Sequence, residues 1–441
     1  MRLVKPKSLF REEYFGGISY DPQHEDFFFL DKNAFNLLKF LDDNLVRESD
    51  LEKLSKDSRE KVLHLEKKGL LIETVPQNRK QRIGDLLTSQ RSWISAPTIM
   101  EIYPSLICNE RCDFCYLGNE LNSTKLQFPE DRIDDFVNNI SSAGVFNISI
   151  LGGEPFLYSG LNSLLDKLYR ERIDISLSTN GTINKPLILE RIKLSKTKLN
   201  VSFHSTDKEK QERLVRKIGS FKQTVNTINQ ARELNIPLHV TTVLNKLNLD
   251  DVENLVRFVG DLGVQSMTVA YPLPSNFTLE RRARVSFEEY LRAYSRAKLV
   301  GLERGMKIEG NCHFNFLIKD YGNNFNPKNP LAKFLYGDKG GRSRLEMMPN
   351  GDLYPSSQTF RRKEWYVGNI LKDDLRQIWR DNSGLNKIRD RILPEDCQKC
   401  EFNEICGGGI LGSIIEQGEW DKPPIDCPVI LNKKVYAPAG I

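Results

Sequence analysis

Cys108, Cys112 and Cys115, spaced C-x3-C-x2-C in CNERCDFCY, constrain this chain more tightly than any other feature. Three thiolates on so short a loop can hold a [4Fe-4S] cluster and leave one of its irons without a protein ligand. That open iron is a binding place for a substrate or cofactor. Ferredoxin-type sites use four cysteines and serve electron transfer alone. Taken by itself, the spacing also fits a zinc site.

The segment ISILGGEPFLY follows, an apolar strand running into Gly152, Gly153, Glu154 and Pro155. Glycine lets the backbone approach a ligand closely. Alone, the segment reads as no more than a turn. Together with the cysteine loop, in this order and within a βα pattern, it resembles the radical S-adenosylmethionine (SAM) superfamily, as does Phe114, the aromatic just before the last cysteine. The resemblance implies that Gly152, Gly153, Glu154 and Pro155 hold the amino group of the methionine moiety of SAM. It also places cofactor contacts at the ends of ISLSTNG and LNVSFHS, where the matching residue is Ser202. Arg216 in RLVRKIGSF matches an arginine for the cofactor carboxylate, which a bidentate guanidinium suits. The chain departs from the family at Ser202-Phe203-His204-Ser205, where relatives commonly read Ser-Leu-Asp-Gly. His204 is expected to serve packing or local hydrogen bonding.

Strand-like segments TIMEIYP, NISILGG, DISLSTNG, LNVSFHS, PLHVTTVLN and QSMTVAY alternate with helix-like stretches such as DRIDDFVNNISSAG and VENLVRFVGDLG. Alternation of this kind means parallel strands joined by crossover helices. The chain is therefore expected in the α/β class, and residues 98–309 resemble the partial (β/α)6 barrel of the radical superfamily. Before it, GGISYDPQHEDFFFLD reads as a hairpin, NAFNLLKFLDD puts Phe35, Leu38 and Leu41 on one helical face, and SREKVLHLEKKGLLIETV reads as a helix followed by a strand. Residues 1–76 are thus expected to form a winged-helix domain. It resembles the RiPP recognition element, which binds the leader of a ribosomally made precursor peptide. A nucleic-acid-binding winged helix or a dimerisation module is the alternative, although the last helix is not strongly basic. Residues 77–97 lack periodicity and read as a linker.

A second set of cysteines, Cys312, Cys397, Cys400, Cys406 and Cys427, lies in residues 310–441. On spacing alone zinc competes. Beside PNGDLYP at 349–355 and GNILKDDLRQIW at 368–379, the segment resembles the SPASM domain, whose seven cysteines hold two auxiliary clusters. Two expected ligands of the first auxiliary cluster are replaced by Ser356 and Ile410. The resemblance leaves Cys397, Cys400, Cys406 and Cys427 to hold one auxiliary [4Fe-4S] cluster, in a reduced, twitch-like domain. Cys312 is an orphan, read as a small buried hydrophobe or else as a retained ligand or hydrogen donor.

At 441 residues the chain exceeds one hydrophobic core. A net charge of +5 demands no nucleic acid. The N-terminus lacks the apolar core of a signal peptide, and no run reaches the length of a membrane span. With seven of the eight cysteines in metal-like clusters, a reducing, cytoplasmic compartment is expected. The resemblance implies a radical SAM oxidoreductase that modifies a precursor peptide through a 5′-deoxyadenosyl radical, installing a thioether or carbon–carbon crosslink, with flavodoxin or ferredoxin as electron donor. A radical peptide epimerase and an RNA-modifying radical enzyme are the alternatives. No acid/base residue is assigned.

Overall fold

The computed structural model describes residues 3–6, 9–22, 26–44, 46, 51, 56–68, 70–74, 93–272, 285–311, 331–334, 337–360, 362–418, 420–424 and 427–431. The chain opens with β1 (Leu3–Pro6), β2 (Leu9–Glu13), β3 (Gly16–Asp21) and β4 (Asp26–Asp31), then α1 (Lys32–Asp43), α2 (Lys56–Lys67) and β5 (Leu71–Thr74). The expected hairpin is β3 with β4, in register from Gly16 opposite Asp31 to Asp21 opposite Asp26. Strand β2 pairs antiparallel with the other edge of β3. Asp31 ends the hairpin and starts α1 at once, because its side chain accepts a hydrogen bond from the Ala34 amide. Phe35, Leu38 and Leu41 then turn inward, as their helical spacing predicts, and close a core with Phe10, Leu30, Val62 and Leu65. Gly17 is needed where β3 crosses α1: a Cβ there would stand 2.8 Å from the Arg11 carbonyl and closer still to the Phe35 ring. The final strand, β5, pairs with β1 and not with the hairpin.

Seven strands follow in parallel: β6 (Ile99–Ile102), β7 (Asn147–Ile150), β8 (Asp174–Thr179), β9 (Lys198–Ser202), β10 (Leu238–Val243), β11 (Ser266–Ala270) and β12 (Lys307–Asn311). Between them run α3 (Ile133–Ala143), α4 (Leu161–Arg170), α5 (Pro186–Leu194), α6 (Lys208–Val215), α7 (Ser220–Glu233), α8 (Val252–Asp261) and α9 (Phe287–Glu303). Strand burial alternates: Ile175, Leu177 and Thr179 of β8 are buried, while Ser176 and Ser178 between them are half-buried. The half-buried polar residues hydrogen-bond to one another from strand to strand: Ser176 donates to Ser149 at 3.0 Å, Asn200 to Ser178 at 3.1 Å and Thr241 to Asn200 at 2.8 Å. One face of the sheet is therefore apolar under helices, and the other is polar.

The six expected βα units are present, and β12 is an additional strand that crosses the expected domain boundary at 309/310. On the opposite side β6 pairs in parallel with β13 (Arg344–Met347), which leads into antiparallel β14 (Asp352–Tyr354) and β15 (Gly368–Asn369). The barrel sheet and the cysteine-rich segment are one sheet. Helices α10 (Leu375–Asp381) and α11 (Ser383–Arg389) follow it.

The first domain is packed hard against the barrel. Arg11 is fully buried, ion-paired with Glu13 at 2.8 Å. It donates to the carbonyls of Ala96 at 2.9 Å, Pro97 at 3.2 Å and Gly144 at 2.7 Å. Glu13 accepts from the Ser95 amide at 2.8 Å, and Tyr20 donates to Asp174 at the start of β8 at 2.7 Å. The last residues of the expected linker, 93–97, thus lie in a three-way junction, because Trp379 of α10 also donates to the Ile94 carbonyl at 2.8 Å.

Candidate functional site

The cysteine loop leaves the C-terminal end of β6, and its backbone is held from three sides. Asn122, at a positive φ of 59°, accepts from the Cys108 amide at 3.0 Å through its side chain and donates its own amide to Leu106 at 2.8 Å. The amides of Arg111 and Asp113 donate to the last carbonyls of α6, Val215 at 3.1 Å and Leu214 at 3.0 Å. Asn180, just past β8, directs its Nδ2 at the Cys108 sulfur at 3.8 Å, and the Cys112 thiol donates to Glu110 at 3.4 Å.

These restraints bring the three cysteines together. Burial pushes the Cys108 thiol up to about 12, and the charges of Glu154, Glu110 and Cys115 add to the effect. Cys112 is also pushed well up, by burial and then by Glu110, Cys115 and Cys108. Sulfurs that oppose one another's ionisation become ligands only when a cation sits among them. Among the described residues no three Cys, His, Asp or Glu side chains close round a single ion. Three thiolates on one loop are the donor set that a [4Fe-4S] cluster takes, leaving one of its irons without a protein ligand.

The GGEP turn is seated directly on the cysteine loop. Gly153 donates to the Ser105 carbonyl at 2.9 Å and Glu154 to the Ile107 carbonyl at 2.8 Å. Gly152, at a φ of 129°, faces the Ser105 carbonyl with no room for a Cβ. Glu154 is fully buried and accepts from Phe156 N at 3.0 Å, Thr179 Oγ1 at 2.7 Å and Asn180 N at 2.8 Å. Its carboxylate therefore joins β7 to β8 within the protein, while Pro155 starts a buried turn. Ser202 ends β9 opposite Thr241 on the polar face of the sheet. Phe114 meets His204 edge-on, ring centres 4.4 Å apart. His204 is buried, accepts from Val243 N at 3.2 Å, and is pushed down to about 3 by burial. It is a neutral packing residue, as expected. Arg216 caps α6 at a φ of 52°, its side chain two-thirds exposed and paired with Asp113 at 2.5 Å.

Cys397, Cys400, Cys406 and Cys427 also share one neighbourhood. Burial pushes Cys397 up to about 11, with Cys427 and Cys400 adding to it, and Cys406 up to about 12, with Cys427 and Cys397 adding. Ser356 is buried and caps a turn, and Gln358 of that turn packs on Gly412 so closely that a Cβ there would collide with it. Ser356 is thus enclosed by protein. Cys312 lies outside the described residues.

Sequence reasoning missed Asn122, Asn180 and Glu110. Only Asn180 had a signal, at the end of ISLSTNG. It also missed a buried set in which Tyr103 donates to Glu346 at 3.0 Å and meets Tyr116 at 3.1 Å, while Arg344 donates to Glu101 at 2.9 Å. This set joins the residue after Cys115 to strand β13.

A parallel sheet with a cysteine loop after its first barrel strand and a glycine turn after its second defines the radical SAM class. Residues 102–259 match the family model "Radical SAM superfamily", and residues 339–401 match "SPASM: Iron-sulfur cluster-binding domain". The chain thus carries a Radical SAM domain over residues 102–259 and a SPASM domain over residues 339–401, and it is an enzyme. The Radical SAM domain binds a [4Fe-4S] cluster and SAM, and the SPASM domain binds auxiliary iron–sulfur clusters. The chain is 21% identical to the AdoMet-dependent heme synthase of Methanosarcina barkeri, over 71% of this chain and 91% of that protein. It is 26% identical to the antilisterial bacteriocin subtilosin biosynthesis protein AlbA of Bacillus subtilis, over 70% of this chain and 66% of AlbA. The fold superposes on Streptococcus suis SuiB bound to precursor peptide SuiA with a TM-score of 0.79 at 20% identity, covering 97% of this chain and 100% of that one. No helix among the described residues is long and apolar enough to cross a membrane.

Proposed function

We propose that the chain is a radical SAM maturase that crosslinks a ribosomally made precursor peptide, forming a thioether or carbon–carbon bond. The observation that carries the reading is the N-terminal domain, clamped to the barrel by the buried Arg11–Glu13 pair and included in a fold likeness to SuiB that covers nearly the whole chain. The relative AlbA, a bacteriocin biosynthesis protein, supports the same substrate class. In this reading residues 1–76 are a winged-helix RiPP recognition element, and a leader peptide adds as a strand to an open edge of the β2-β3-β4 sheet. Rigid docking then delivers the core peptide to the barrel at high effective concentration.

Cys108, Cys112 and Cys115 would hold the SAM-binding cluster, and Cys397, Cys400, Cys406 and Cys427 one auxiliary cluster. Gly152 to Pro155, Phe114, Ser202 and Arg216 would contact SAM. The bound cofactors supply hydrogen abstraction by a 5′-deoxyadenosyl radical and acceptance of the electron left when the new bond closes. The protein positions and shields. Asn122 and the end of α6 fix the cysteine loop, Glu154 ties the GGEP turn to β8, and neutral His204 supports the Phe114 ring. Flavodoxin or ferredoxin is the proposed electron donor.

The test is to look beside the gene for a short reading frame that encodes a precursor and to measure the mass of that peptide after incubation with reconstituted enzyme. One pair of hydrogens should be lost. Cys115→Ala should abolish 5′-deoxyadenosine formation, while Cys400→Ala should retain some of it and make no crosslinked peptide. Deuterium uptake at an α-carbon without loss of mass would replace this reading with epimerisation.

A further inference from the structure

The auxiliary cysteines carry two cations that none of their motifs calls for. Arg342 precedes β13 and donates Nη2 to the Gly407 carbonyl at 3.3 Å. Arg391 lies past α11 and donates Nη1 to the Gly408 carbonyl at 3.4 Å, with Nη2 on the Trp420 carbonyl at 2.7 Å. Gly407 and Gly408 immediately follow Cys406 at φ values of 59° and 81°. Their lack of a Cβ is what admits the guanidiniums: on Gly408 it would stand 2.9 Å from Arg391 Nη1, and on Gly407 it would overlap the Arg342 guanidinium. The glycine tract after Cys406 is therefore an approach for two arginines as well as a tight turn.

Both guanidiniums are held on the carbonyls of the two residues that follow Cys406, which places their charge beside that sulfur. The two guanidiniums also repel each other. Asp338 and Glu404 oppose Arg342, but Arg391 has no carboxylate among its main partners. Holding two like charges side by side in a part-buried setting is costly unless a negative group lies between them. Four thiolates around a cubane leave a net negative charge that grows by one on reduction, and nearby charge and hydrogen bonding set the potential of such a centre.

We infer that Arg342 and Arg391 act as a paired cation that raises the reduction potential of the auxiliary cluster, making that cluster the electron acceptor of the reaction. They are positioning residues, acting on the cluster and not on substrate. The inference rests on the assignment of Cys397, Cys400, Cys406 and Cys427 as ligands of that cluster.

The experiment is a potentiometric titration of the auxiliary cluster, followed by electron paramagnetic resonance, in a Cys108→Ala/Cys112→Ala/Cys115→Ala background that removes the other signal. Arg342→Gln and Arg391→Gln should each disfavour the reduced form about tenfold, a fall of about 59 mV for a one-electron couple, and the double variant should fall further. Arg342→Lys and Arg391→Lys, which keep the charge and lose the fork, should recover most of the shift. An unchanged potential in a cluster-bearing Gln variant overturns the inference, as does an equal shift in the Lys variants. Should one variant fail to hold iron, the other decides. Absence of any auxiliary cluster signal from the background protein instead overturns the ligand assignment beneath it.

Discussion

Gly153→Ala is the sharpest probe of how the glycine turn supports the cysteine loop. A Cβ at 153 would stand 2.8 Å from the Leu106 carbonyl carbon and closer still to the Ile107 carbonyl, backbone atoms that no side-chain rotation can move aside. Relief requires the turn to lift from residues 105–107, which breaks the Gly153–Ser105 and Glu154–Ile107 hydrogen bonds of 2.9 and 2.8 Å. Overpacking costs about 1–3 kcal/mol, and each of two buried bonds about 1 kcal/mol. The sum, about 3–5 kcal/mol, is a large part of the stability of a typical domain. It falls on the residue next to Cys108, so iron at the first cluster should drop while the auxiliary cluster stays. Gly305→Ala is the control, since Gly305 has a φ of 66° with nothing within 4 Å, and it carries backbone strain alone. The assay is iron content and 5′-deoxyadenosine formation, with the melting temperature recorded in parallel. Wild-type cofactor cleavage by Gly153→Ala would refute the reasoning.

Reconstituted wild-type protein should carry about eight irons, two four-iron clusters, and a value near twelve would show that Ser356 and Ile410 do not exclude a third. His204, pushed down to about 3 by burial, binds no proton in the fold but does so when unfolded below about 6.5. Its contribution is therefore intact above that pH and is lost as pH falls, by about 3 kcal/mol at pH 4; His204→Gln should flatten the acid limb of a urea stability profile, and an unchanged limb would contradict the buried neutral ring. Arg11→Ala leaves Glu13 buried without its ion partner, so unfolding free energy should drop by about 3–5 kcal/mol, whereas Arg11→Met/Glu13→Leu removes that uncompensated charge and should lose less, although it still strips Ser95 and the carbonyls of residues 96, 97 and 144 of their partners. Equal losses in the two proteins would mean that the pair is not the clamp.

The Arg11 contacts bear on how leader binding is tested. Deleting residues 1–76 strips Arg11 and Tyr20 from the carbonyls and the carboxylate they satisfy on residues 96, 97, 144 and 174. Loss of turnover by a truncated enzyme would therefore mix lost leader binding with a damaged barrel. Substitutions on the outer edges of β2 and β4 in the full chain separate the two effects.

The cysteine loop, the GGEP turn and the six βα units were legible because each is a short-range pattern. Thiolate spacing, glycine geometry and strand alternation are all expressed within a dozen residues. Strand β12 was not read from KIEGN because its polar positions, Lys307 and Glu309, leave little apolar alternation in five residues. The β1 pairing of β5 was missed for a related reason: LVKP has no signal beyond being short and extended.

What the sequence alone determined is the local pattern, where the cysteines gather and which glycines stand beside them, since that depends on residue type and on neighbours close along the chain. Tertiary structure alone decided which distant groups complete the site. Arg11 reaches Gly144, Asn180 the Cys108 sulfur, Trp379 the Ile94 carbonyl, and Tyr103 joins Glu346 across 243 positions. Such contacts carry no local signature. Their partners are ordinary residues in ordinary surroundings until the sheet closes the long loops between them, and the loop-closure entropy is offset by the whole parallel core and not by any one pair.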